Sequence, residues 1–157
     1  MNSYRAKPLT FHWSPVIFIL SNVLAVVVDC SSELPLPPLD AASLWTSGLI
    51  LAILAVCLDI WAVKTLVEGQ TTTMPFRCSK HLVTRGPFRF TRNPSYLAYT
   101  MFTASLALLT GNAWFLVAAF IAAVATNFVA IHQEEMHLLS RFGYDFESYC
   151  KRTRRWL

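Results

Sequence analysis

Four apolar runs govern what this chain can fold into: residues 11–28, 42–63, 95–110 and 113–131. A helix that crosses a hydrocarbon core needs about 20 apolar residues, with a usual range of about 17–25. The third run is short by that measure, and it gains an aromatic and small-residue flank at residues 96–99. Hydrophobic residues make up 55% of the chain and charged residues 14%, against about 25% charged in a soluble domain. A soluble fold of 157 residues cannot bury that much apolar surface, so a bilayer is the natural solvent. The fold class expected is all-α: a polytopic integral membrane protein with about four transmembrane helices. Arg5 and Lys7 precede the first run in the manner of a signal peptide. That run is long enough to span and lacks a convincing small-residue cleavage site, so it reads as a retained span. One membrane domain is expected over 1–157. Residues 1–70 supply two N-terminal spans, and residues 71–157 a loop, a helical hairpin and a basic tail.

The connections predict the orientation. Residues 29–40 hold Asp29, Glu33 and Asp40 without Lys or Arg, and Pro35, Pro37 and Pro38 keep them out of a helix. Residues 64–92 hold Lys64, Arg77, Lys80, Arg85, Arg89 and Arg92 against Glu68 alone, and the tail holds Arg141, Lys151, Arg152, Arg154 and Arg155. With four spans, the basic loop and both termini share one side, which the positive-inside rule makes cytoplasmic. Basic residues placed just outside apolar runs explain the net charge of +4 without nucleic acid. Cys30, Cys57, Cys78 and Cys150 form no CxxC pair, so neither a metal site nor a disulfide framework is expected.

Asn93 suits a helix N-cap, Pro94 the first helical position, and Gly111-Asn112 a two-residue turn. The last two spans therefore form a tight antiparallel hairpin, whose open end brings residues 80–96 towards His132-Gln133-Glu134-Glu135. A loop entering a helix N-terminus offers free N–H groups to a carboxylate. A nearby glutamate suits an ammonium or ribose hydroxyls. An amino-acid nucleoside presents all of these groups.

Asn127 and Glu134, seven apart, are expected on one helical face with Ala130, while Glu135 turns towards a structural role. Asn127 reads either as glue between helices or as a positioning residue. Asp59, an acid well inside a span, is a functional suspect by default. The Arg154-Arg155-Trp156 end reads as an interfacial anchor.

The ordered set Leu82-Val83-Thr84-x-Gly86-Pro87-Phe88, Arg92-Asn93-Pro94-Ser95-Tyr96, Glu134-Glu135-x-x-Leu138, Phe142-Gly143, Tyr149 and Arg155-Trp156-Leu157 resembles the isoprenylcysteine carboxyl methyltransferase superfamily. That group is similar to membrane phospholipid N-methyltransferases and bacterial thiol methyltransferases. The resemblance covers about residues 72–157. It implies S-adenosylmethionine-dependent methyl transfer, with the cofactor in a cytoplasm-facing pocket formed without a Rossmann sheet. It implies cofactor contacts from Lys80, His81, Leu82, Val83, Phe88, Asn93, Pro94, Tyr96 and Glu134, with Glu135 behind them and Arg92 and Asn127 as positioning candidates. Phe88, Asn93 and Phe146 depart from the family's commoner residues, and Ala130 stands where prenylcysteine enzymes carry a substrate-binding arginine. The implied partners are the lipid bilayer, in the setting of a bacterial inner membrane, and a lipophilic, small-thiol or amine acceptor. The contrasting expectation is a non-catalytic membrane protein that uses the same hairpin for heme, lipid or partner binding, with His132 and His137 as the residues to suspect.

Overall fold

The computed structural model describes residues 13–37, 40–69 and 81–157. Lys80, the start of the first apolar run and the basic residues Arg5, Lys7 and Arg77 lie outside the described residues. Among those described, the ordered structure is helical: α1 (Trp13–Asp29), α2 (Ala41–Glu68), a 3₁₀ turn (Gly86–Arg89), α3 (Pro94–Thr110), α4 (Trp114–Thr126), a π turn (Asn127–Ile131), α5 (His132–Phe142) and α6 (Tyr144–Arg152). The four apolar runs thus appear as α1 to α4, with α4 and the π turn together covering the fourth.

Local chemistry sets the boundaries. Asp40 caps α2 by accepting from the Ser43 amide at 3.1 Å. Pro94 opens α3 and Gly111, at φ 69°, closes it in the left-handed region. Asn112 Oδ1 accepts from the Trp114 amide at 2.8 Å and starts α4. Asn93 does not cap α3 as expected; its side chain is committed elsewhere. Gly143, at φ 51°, separates α5 from α6.

Small residues fill the interior and large apolar ones face out. Ala55, Ala62, Ala107 and Ala122 are almost fully buried, whereas Ile60 is 61% and Phe120 71% exposed. Water would reject that arrangement, and a bilayer suits it, because lipid tails solvate large aliphatic side chains while small residues let helices approach. On α2, Gly48, Ala55 and Ala62 lie seven apart along the seam with α3. A Cβ on Gly48 would come within 2.9 Å of Leu109 Cγ. On the opposite flank, Ala25 of α1 packs with Ala107, Phe115 and Ala118.

α2 (28 residues) and the continuous helix from α4 through α5 (29 residues) are long and apolar enough to cross a membrane. α3 has 17 residues, in keeping with the short third run. The acidic loop folds back on the α3–α4 turn: Leu36 N donates to Gly111 O at 2.9 Å, and Ala113 N to Leu34 O at 2.8 Å. The opposite, basic end gathers the C-terminus of α2, residues 81–93, α5, α6 and the tail.

Candidate functional site

The basic end is built by the chain's last residues closing over the segment that leads into α3. Arg92 N donates to Arg154 O at 3.0 Å, and Asn93 Nδ2 to Arg155 O at 2.9 Å. Thr91 Oγ1 donates to the same Arg155 carbonyl, and Tyr149 Oη donates to Phe88 O at 2.7 Å. Gly86, at φ 61°, rests on α2, where a Cβ would lie 2.7 Å from Thr65 Oγ1. Phe88, Asn93 and Pro94 are thus held by backbone and tail contacts on both sides.

Two features stand out at this end. The first is a cleft of about 330 Å³ between the end of α2 and the loop. Its walls include Glu68, Gly69, His81, Leu82 and Val83, so three of the expected cofactor residues share it. Its size falls at the low end of the roughly 300–1,000 Å³ of small-molecule sites. The second is the pairing of α3 with α5: Tyr96 Oη donates to Glu134 Oε1 at 2.5 Å. Glu134 lies past the apolar part of its helix, which ends at Ile131. Burial pushes its carboxyl up from the ordinary 4.5 to about 7; the Tyr96 hydroxyl opposes that rise and the Glu135 charge adds to it. Tyr96 and Glu134 are not among the residues lining the cleft.

Glu135 faces the other way and is fully engaged. Arg92 Nη1 lies 3.2 Å from it, and Arg155 holds it through Nε at 3.1 Å and through Nη2. Arg155 Nη1 also donates to Asn127 Oδ1 at 3.1 Å. Two expectations are corrected here. Arg155 is not an interfacial anchor but the centre of this cluster. Asn127 shares a face with Glu135 rather than Glu134, because the π turn inserts an extra residue. One α turn of about 3.6 residues and one π turn of about 4.4 give a spacing of eight. Ala130 is 1% exposed and packs inside the protein, not towards an open groove.

Arg92 Nε remains buried without a hydrogen-bond partner, and Arg92 Nη1 also reaches the Cys150 thiol. Two guanidiniums on one carboxylate leave the cluster with an excess positive charge. Thr91 and Cys150 carry weight that sequence reasoning missed, and Arg155, read there as part of an anchor, carries weight of another kind. Arg155 lies 20 residues beyond Glu135, across α5 and α6, and no local spacing joins them. His132 is exposed and His137 half-buried on α5.

The family model for phospholipid methyltransferase matches residues 44–145. No curated protein and no solved structure matches the chain significantly. The match differs in reach from the resemblance over 72–157: it takes in nearly all of α2, Asp59 included, and stops before most of α6 and the tail. It covers nearly two thirds of the sequence, and it agrees with the apolar outer surface and the two helices long enough to span. The chain therefore belongs to the phospholipid methyltransferase family and is a membrane methyltransferase.

Proposed function

We propose that the protein crosses the bilayer four times, with its basic end and both termini in the cytoplasm. It transfers a methyl group from S-adenosylmethionine to a lipophilic, small-thiol or amine acceptor that arrives sideways between helices. The observation that carries this reading is the Tyr96–Glu134 pair: a half-buried carboxyl on α5 held against the start of α3, outside the ion-pair cluster that consumes Glu135.

The donor set fits the cofactor. Glu134 offers a carboxylate to an ammonium or to ribose hydroxyls, and the buried Nε of Arg92 is a donor that a carboxylate would satisfy. Leu82 and Val83, with His81, supply an apolar wall with backbone polar groups for a heterocycle. When bound, S-adenosylmethionine supplies an electrophilic methyl group. The nucleophile belongs to the acceptor, so the chain's own residues orient the two partners and exclude water. Glu134 holds the donor in place; Arg92, Arg155 and Glu135 lock the loop and α5 together so that Glu134 and Tyr96 keep their separation.

Methyl transfer from labelled donor into fractionated lipid and small-thiol extracts tests the reading. Label in an extractable product, lost in Glu134→Gln, is the expected result. Absence of donor binding by the purified protein, with or without extract, refutes it. A prenylcysteine analogue is expected to be a poor acceptor: Ala130 supplies no cation for its carboxylate, and the Arg92 Nε is given to the carboxylate of the donor.

A further inference from the structure

We propose that the outer face of the C-terminal strap, residues 153–157, is a binding surface for anionic lipid headgroups, built from Phe90 and the cations Arg89, Lys151, Arg152 and Arg154. It needs neither donor nor acceptor, and it ties closure of the strap over the start of α3 to the charge of the adjoining leaflet.

The strap runs alongside the segment that leads into α3. Thr153 Oγ1 donates to Arg89 O at 3.4 Å, Thr91 and Arg154 form an isolated parallel β-bridge, and Arg92 N donates to Arg154 O at 3.0 Å. Thr91 and Thr153 are buried, and Arg155 turns in to Glu135. Side chains alternate along an extended segment, so the exposed Arg154 turns outward between Thr153 and Arg155. Phe90, next to the buried Thr91, is 66% exposed. Arg89 adjoins it, and Lys151 and Arg152 close α6 just before Thr153, all three exposed. Among the described residues no acid pairs with Arg89, Lys151 or Arg154, and Arg152 reaches the Ser148 hydroxyl at 3.3 Å. The acids of α6, Asp145 and Glu147, lie at its other end.

Depth decides what such a surface meets. Phe90 lies just before Pro94, where α3 begins, and the Arg92–Arg154 hydrogen bond keeps the strap at the same level. That level is the headgroup layer at the basic end. Water disfavours an exposed phenyl ring, whereas the headgroup layer takes the ring towards acyl chains and the guanidiniums towards phosphates. A zwitterionic lipid brings a cation with each phosphate and an anionic lipid does not, so the unpaired positive charge selects the anionic one. The strap thus works in two directions. Arg155 holds Glu135 on the inside, Arg154 meets headgroups on the outside, and bound anionic lipid keeps the strap closed.

The full-length protein is placed at low salt in lipid nanodiscs of phosphatidylcholine, alone or with a third of it replaced by phosphatidylglycerol. The wild type is expected to gain several degrees in Tm in the anionic discs, with slower amide exchange across residues 89–93 and 153–157. Arg89→Gln/Arg154→Gln, which touches no ion pair, is expected to keep its Tm in phosphatidylcholine and to lose most of that gain. Arg85→Gln/Arg141→Gln removes the same charge elsewhere at the basic end and is expected to retain the gain. Phe90→Ala, with every charge intact, is expected to lose part of it. No gain in the wild type overturns the proposal, and so does an equal loss in the two double variants, which reduces the effect to net charge. A gain with unchanged exchange in the strap overturns the coupling to closure. A short RNA that gives phosphatidylcholine discs the same gain, lost in Arg89→Gln/Arg154→Gln, assigns the patch to nucleic acid and overturns the proposal as well.

Discussion

Glu134 and Glu135 are adjacent, chemically identical and assigned opposite work, which makes their glutamine variants a sharp comparison. Glu135→Gln removes the only acid from a cluster in which the side chains of Glu135 and Arg92 are 17% and 15% exposed. Breaking a buried ion pair typically costs about 3–5 kcal/mol, since the surviving charge is left uncompensated. Arg155 is 36% exposed, so its share is screened and the lower end applies, about 3 kcal/mol. For a chain of this length that corresponds to a Tm drop of about 6–12 °C. Glu134→Gln keeps an acceptor for the Tyr96 hydroxyl and removes a charge that burial disfavours, so its Tm should match or exceed the wild type. Its loss appears in donor binding: a charge-assisted hydrogen bond is worth about 1.5–3 kcal/mol, or roughly 10- to 150-fold in Kd. Thermal unfolding in detergent and equilibrium dialysis of labelled donor read the two effects separately. Equal Tm losses in both variants, or a Glu135→Gln protein of normal Tm that binds donor poorly, would refute the division of labour.

Donor affinity in the wild type should weaken as pH falls below about 7, where Glu134 becomes protonated, and Glu134→Gln should lack that dependence in titration calorimetry. Stability runs the other way. The folded protein holds the Glu134 proton more tightly than the unfolded chain, so this contribution is present at low pH and lost as pH rises from about 4.5 through about 7, as Tm differences against Glu134→Gln should report. Removal of residues 154–157 deletes the Arg154 and Arg155 carbonyls and the Arg155 guanidinium; loss of donor binding is expected, and a truncated protein that binds donor normally would show the tail to be dispensable. Impermeant thiol reagents should label Glu33→Cys but not Gln70→Cys from outside intact cells, and the reverse pattern would invert the orientation.

The helical framework was legible because its signals are local and strong. The apolar runs, Pro94, and the Gly111-Asn112 turn fixed α2, α3 and the hairpin within a few residues. The candidate site was legible only in part. The meeting of Tyr96 with Glu134 follows from a short turn forcing two helices together. The Arg155–Glu135–Asn127 cluster does not, since it depends on α6 returning the tail to the start of α3 and on a π turn that no residue pattern announces. Asn93 illustrates the same limit: its side chain suits a helix cap, yet a carbonyl from 62 residues away claims it.

The π turn gives this helix an unusual tolerance for changes of length. A one-residue deletion in an ordinary membrane helix swings every later side chain by about 100°. Here a deletion at Phe128, which is 71% exposed, can be absorbed by tightening the wide turn into an ordinary one. Asn127 and Glu135 would then stand seven positions apart, still facing Arg155, with the lower segment drawn in by about 1.5 Å. Chains with one residue fewer at this point can therefore present the same amide and carboxylate to the same partner, so that in pairwise comparison the gap, rather than either asparagine or glutamate, is where such relatives would differ.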